Sequence, residues 1–178
     1  MFRSLSVAMV LALSPTPAPP ADATGAVEDL VMPVEDIIGA VESLDGTESE
    51  TQQGSLVTVA LTSDVLFAVD KWVLTAAARK RLQEVAEKVS ADGAGGVVKI
   101  EGHTDDQGAD AYNLTLSRRR AQAVRQAMSE MLTDAGVTLQ AQGYGESRPK
   151  VPNLVDGKPI PRNRAQNRRV EIVYNVAQ

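Results

Sequence analysis

The 178-residue sequence has no cysteine, one histidine and few aromatic residues: two Phe, three Tyr and one Trp. Without cysteine, disulfides and thiolate metal sites are excluded, and no cysteine is present for lipidation at an export cleavage point. With so few rings, a core must be built from Val, Leu, Ile, Ala and Met. A domain of roughly 120 residues made this way still buries most of the surface its unfolded chain would expose, with no metal or disulfide required. A lone His103 and no H-E-x-x-H spacing argue against a zinc hydrolase, and no nucleophile–base pair stands out, so an enzyme is not expected. His103 reads as a packed residue at a strand end. The cluster Asp105-Asp106-x-Gly108-x-Asp110 lacks the alternating oxygen spacing and the distal Glu of a calcium loop, so neither metal nor cofactor is expected. Basic residues lack the aromatic interleaving that stacks bases, which excludes nucleic acid as a partner.

Charge is distributed unevenly. Thr24 to Glu50 holds eight acids and no base, whereas Asp64 onward holds 14 acids and 17 bases, so the net −5 belongs to the N-terminal segment. Before it, Arg3 precedes the apolar run Leu5 to Leu13, and Ala21-Asp22-Ala23 follows a Pro/Ala stretch. This is the pattern of a secretory signal, expected over residues 1–23, and the run is too short to span a bilayer permanently. No transmembrane helix or barrel pattern is expected. Residues 24–54 read as an acidic segment and linker. Val27-Glu28-Asp29, Val34-Glu35-Asp36 and Val41-Glu42-Ser43 recur in register, but Pro33 and Gly39 interrupt any helix, so short extended pieces are an equal expectation. Gly46 to Gly54 is apolar-poor and reads as a flexible connector.

The domain is expected over residues 55–178. Ser55–Leu61 alternates β-branched residues and predicts a strand. Val65–Val69 predicts a short strand or extended piece. Thr75 is the expected N-cap of a helix to about Ser90, with Leu82, Val85, Ala86 and Val89 on one face. Val97–Gly102 predicts a strand. Ser117 is the expected cap of a helix to about Asp134, burying Ala121, Val124, Met128, Met131 and Leu132. Val137–Gln142 and Arg168–Asn175 predict two more strands, and Gly143–Asn167 a long loop of the kind that is usually functional. The fold class is therefore α/β, more narrowly an α+β two-layer sandwich with both helices on one sheet face.

Three runs carry the chemistry: Gly102-His103-Thr104-Asp105-Asp106-Gln107-Gly108 with Asn113 beyond it, Leu116-Ser117-Arg118-Arg119-Arg120-Ala121, and Asn167-Arg168-Arg169-Val170-Glu171-Ile172. Taken by type alone, Asp105 is a turn-forming residue. Arg120 lies in the following helix and is able to point back at the same loop, where an acid and a base together would grip a zwitterion. Successive helix positions are about 100° apart, so Arg118, Arg119 and Arg120 cannot all face one pocket. Arg118 and Arg119 read as a solvated face or as contacts to a glycan.

In this order the three runs resemble the OmpA-like C-terminal domain, a module that holds peptidoglycan non-covalently. The resemblance spans roughly Ser55 to Val176. It implies a βαβαββ order with a mixed sheet, location in the cell envelope after export, and peptidoglycan as the partner. It further implies that Asp105 accepts the ammonium of a diaminopimelate side chain in the stem peptide and that Arg120 pairs with the carboxylate on the same carbon, for which a planar guanidinium is suited. Thr104 and Leu116 would line the pocket and Asp70 would stand near the amine. Asn113 would either orient the loop or bond the ligand. Of Arg168 and Arg169, strand alternation sends one to the site, and Arg169 is the expected one; a bridge from either to Glu101, Asp105 or Glu171 is the structural alternative. A reading from another class is an envelope scaffold that engages a protein partner through the acidic N-terminal segment, with the pocket vestigial.

Overall fold

A computed structural model describes residues 38–43, 46–68, 70–92, 96–133 and 136–177. In β3 (Leu56–Thr62) the side chains of Val57, Val59 and Leu61 are buried, two residues apart, as a strand with one covered face requires. The same side is continued by Val98 and Ile100 of β4 (Gly96–His103) and by Val170, Ile172 and Tyr174 of β8 (Arg169–Asn175). Ile172 sits opposite Val59 on one flank and Ile100 on the other.

These strands form the middle of a six-stranded sheet of order β1-β2-β3-β8-β4-β5, with β1 at Ile38–Glu42, β2 at Glu48–Gln53 and β5 at Val137–Gly145. Only the β4–β5 pair is parallel; the sheet is mixed. Parallel neighbours need a crossover, and α3 (Asp110–Met131) supplies it. α2 (Ala76–Ala91) starts where expected: the Thr75 hydroxyl oxygen accepts the Ala78 N–H at 3.0 Å. Leu82, Val85, Ala86 and Val89 of α2 and Ala121, Val124 and Met128 of α3 close over the sheet in one core. Each Leu, Val or Met among them contributes roughly 1.5–3 kcal/mol by leaving water. Buried Tyr174 donates its hydroxyl proton to Asp92 Oδ2 at 2.6 Å, tying the end of α2 to β8. The two-layer α/β architecture and its βαβαββ core order are those expected. Met131 is half-buried rather than buried, and α3 ends there.

Four expectations are corrected. Gly46 to Gly54 is no flexible connector: it contains β2, which pairs along its length with β3, so the region taken as linker contributes two strands to the sheet. A polar Glu-Ser-Glu-Thr-Gln-Gln strand is held by its neighbour's backbone rather than by its own propensity. Val65 and Leu66 are not in a strand but in α1 (Ser63–Leu66), a single helical turn, after which Phe67 is extended and bridges Leu74. Ser117 is not a cap. α3 begins well upstream, with Asp110 in its first turn, where an acid complements the helix dipole. The Gly143–Asn167 stretch is not one loop: beyond the end of β5 it holds the hairpin of β6 (Leu154–Val155) and β7 (Lys158–Pro159), then α4 (Pro161–Asn167). Buried Asn167 organises it, accepting the Lys150 and Val151 N–H groups and donating to the Val151 carbonyl. The expected signal sequence and the first two acidic repeats lie outside the described residues.

Ser117 has a different task. Its hydroxyl donates to the Leu114 carbonyl at 3.0 Å and accepts the Gly145 N–H at 2.9 Å, joining α3 to β5. A Cβ on Gly102 would lie 2.2 Å from the Ser117 carbonyl oxygen, and one on Gly143 would lie 2.3 Å from the Arg118 nitrogen. Both glycines therefore let the helix backbone lie directly on the sheet, which fixes where Leu116 and Arg120 project.

Candidate functional site: a charged cavity at the end of β4

Beyond His103 the chain turns under local control. The Thr104 N–H donates to the Gly145 carbonyl at 2.9 Å. Asp105 Oδ1 accepts the Gln107 N–H at 3.1 Å, an Asx turn, and Gly108 takes φ 100°, a conformation that glycine adopts freely. Asn113, buried in the first turns of α3, closes the loop: its amide nitrogen donates to the Gln107 carbonyl at 3.0 Å and to Glu146 Oε2 at 2.6 Å. α4 supports the loop from outside, with Arg164 on both oxygens of Asp106 at 2.7 and 3.2 Å.

Leu116 and Arg120 lie one helical turn apart and share a face of α3. Arg120 is 5% exposed. Its Nε donates to the Lys71 carbonyl at 3.1 Å, and its guanidinium carbon stands 5.3 Å from the Phe67 ring centre. Its Nη1 is buried with no hydrogen-bond partner, and so is the hydroxyl of Thr104. Burial pulls Arg120 below the usual guanidinium range, while Asp64, Asp70 and Tyr112 push the other way.

These groups meet in a cavity of about 570 Å³. Asp70, Thr104, Asp105, Asn113, Leu116 and Arg120, all expected from sequence, line it together, so the acid and the base face one space. Asp70 gets there in a left-handed conformation, φ 53°. Sequence reasoning misses Asp64, Gln107, Tyr112 and Arg168, which also line the cavity. Arg168 Nη1 donates to Asp105 Oδ2 at 2.8 Å and its Nη2 to Asp64 Oδ2 at 2.8 Å. The Asp64 hydrogen bond, then that of Asp105, raises the Arg168 pKa against the cost of burial.

Arg169 is a correction. It lies on the other face of the sheet, 5% exposed, with Nε on Glu171 Oε1 at 2.6 Å and Nη2 on the Arg148 carbonyl at 3.3 Å. β8 begins at Arg169, so alternation from buried Val170 turns Arg169 away from the helices, and Arg168, before the strand, turns into the cavity. The adjacent pair of arginines is the only local signal for this, and it does not say which one enters.

That opposite face carries a grouping with metal-ligand residue types, Glu101, His103 and Glu171. Guanidiniums already face both acids: Arg169 on Glu171, and Arg148 Nη1 at 3.8 Å from Glu101 Oε2. Burial, then Arg169, lowers the His103 pKa to about 4, so the ring is neutral at pH 7; it stacks on Tyr144 with centres 5.5 Å apart. The cationic neighbours disfavour a metal ion there, and packing is the role the geometry supports.

The chain is thus a mixed sheet covered on one face by helices, with a charged cavity where β4 gives way to α3. A family model described as the OmpA family matches residues 66–166, and the chain belongs to that family. Putative lipoprotein YfiB of Escherichia coli (strain K12) is 30% identical over 136 residues, covering 76% of this chain and 79% of the relative. Outer membrane porin F of Pseudomonas aeruginosa is 49% identical over 72 residues, 40% of this chain and 19% of that protein. Some relatives are far longer, and the chain spans 9% to 21% of their length. The cell wall anchor of the T6SS from Pseudomonas aeruginosa has the same fold, with a TM-score of 0.57 at 24% identity over 79% of this chain and 88% of that one. No helix among the described residues is long and apolar enough to cross a membrane.

Proposed function

We propose that the chain is an exported protein of the cell envelope that holds peptidoglycan non-covalently through the diaminopimelate of its stem peptide. One observation carries this reading: Arg120 Nη1 and Thr104 Oγ1 are buried without partners beside a cavity that also holds Asp105, Asp64 and Asp70. A buried donor left unpaired costs about 1–3 kcal/mol, a cost removed when a ligand oxygen arrives. The side-chain carboxylate of diaminopimelate fits Arg120, and the ammonium on the same carbon fits the carboxylates opposite. Asp105 is not used up by Arg168, because a carboxylate has about four lone-pair sites. The family and the envelope names of the relatives agree with this role.

A charge-assisted hydrogen bond contributes about 1.5–3 kcal/mol, so two such contacts, after ordering and desolvation, give roughly micromolar to millimolar affinity for one stem peptide. A polymer that presents many copies makes that sufficient for retention. The test is competition on purified sacculi. A stem peptide containing diaminopimelate releases the protein, whereas the same peptide with lysine in its place, whose side-chain ammonium has no carboxylate on the same carbon, does not. Equal release by both, or by neither, refutes the assignment. Mass spectrometry of muropeptides incubated with the protein should show no turnover.

A further inference from the structure

We propose that Trp72 and Arg119 form a saccharide platform beside the cavity, seating an amino-sugar ring of the glycan strand that bears the stem peptide. The inference rests on the peptidoglycan reading and extends it from peptide to sugar. Trp72 is the only tryptophan of the chain, and it is 41% exposed rather than packed in the core. The guanidinium carbon of Arg119 lies 4.5 Å from the centre of its ring. With Gln122, Ala123, Arg125 and Gln126 they line a recess of about 360 Å³. The chemistry of that lining is specific. An aromatic ring offers a flat surface to the C–H face of a pyranose, while amides and guanidiniums offer donors to hydroxyl and N-acetyl oxygens. No carboxylate is among the residues that line it, so the recess selects against the ammonium groups that the neighbouring cavity receives.

Position argues the same way. Trp72 follows Lys71, whose carbonyl takes the Arg120 Nε hydrogen bond, and Arg119 precedes Arg120 on α3. About 100° separates adjacent helix residues, so Arg120 turns into the peptide cavity while Arg119 turns to the Trp72 side. The two recesses are thus lined by neighbours in sequence, Arg120 in one and Arg119 in the other. Peptide and sugar are covalently joined in the polymer, so once the peptide is seated the sugar binds at high effective concentration.

The test titrates the full chain with a diaminopimelate-containing tetrapeptide and with the same tetrapeptide attached to its disaccharide, by calorimetry and by tryptophan emission, which reports on Trp72 alone. The disaccharide-bearing ligand should bind roughly three- to tenfold more tightly, and it alone should shift the emission. Trp72→Ala should equalise the two affinities and leave the tetrapeptide Kd unchanged, with an unchanged melting curve; Trp72→Phe should keep part of the difference. Equal affinities in the native protein, or a preference that survives Trp72→Ala, overturn the platform and leave the diaminopimelate assignment standing. Failure of the native protein to bind either ligand overturns both.

Discussion

His103, the last residue of β4, and Asp105, in the loop that follows, stand two positions apart, yet they serve clusters of different kinds on opposite sides of the sheet. Behind the sheet, Glu101 and Glu171 each face a guanidinium, and Arg148, Tyr144 and His103 stack in sequence, with the Arg148 guanidinium 3.7 Å from the Tyr144 ring centre. In front, Arg120 and Thr104 keep unpartnered polar atoms beside a cavity of about 570 Å³. Both clusters are buried and charged. Both His103 ring nitrogens also lack hydrogen-bond partners, so unpaired atoms do not separate the two clusters. What does is that the rear carboxylates are matched by guanidiniums and the rear rings are packed, whereas the front cluster lies beside a cavity able to admit a ligand. Burial of charge alone does not mark a binding site.

The comparison can be broken by moving residues between the two roles. The largest effect is expected from Arg169→Ala, which strands Glu171 on the rear face. Denaturant unfolding should show a loss of about 3 kcal/mol, the scale for breaking a buried pair, while the folded variant still sediments with sacculi. If it unfolds like the native protein but is released from sacculi, the two clusters have been assigned the wrong way round. Arg120→Ala is the mirror experiment. Retention on sacculi should weaken by roughly ten- to a hundredfold, with only a small change in the unfolding midpoint. Asp105→Asn keeps the Asx turn and removes the charge, so affinity should fall by about tenfold and its salt dependence should flatten.

The smallest effect at neutral pH belongs to His103. Its pKa falls from 6.5 to about 4 on folding, so between those values the unfolded chain binds more protons. Its contribution to stability is thus complete above pH 6.5 and is lost as pH falls toward 4. His103→Gln should unfold with a shallower dependence on pH across that window. Parallel curves for the variant and the native protein would show that the ring is not held neutral.

Local signals account for much of what is legible in this sequence. The alternation of Val57, Val59 and Leu61, the apolar stripe of α2 and the Thr75 cap depend on residues within a turn or two, and each element forms as its own pattern dictates. Asp105 and Arg120 are legible for a related reason: strand, loop and helix follow one another directly, and an acid and a base on that short path have few ways to point. Four features are decided elsewhere. The polar sequence Glu48–Gln53 becomes β2 only because β3 presents backbone groups to it. α3 starts at Asp110 rather than Ser117, and Ser117 bonds Gly145, a partner far along the chain. Gly102 and Gly143 matter because a helix backbone lies on them. The choice between Arg168 and Arg169 turns on the residue at which β8 begins. Strand side chains alternate, so a shift of one position exchanges the cavity for the rear face, and only the pairing of β8 with β3 and β4 sets that register.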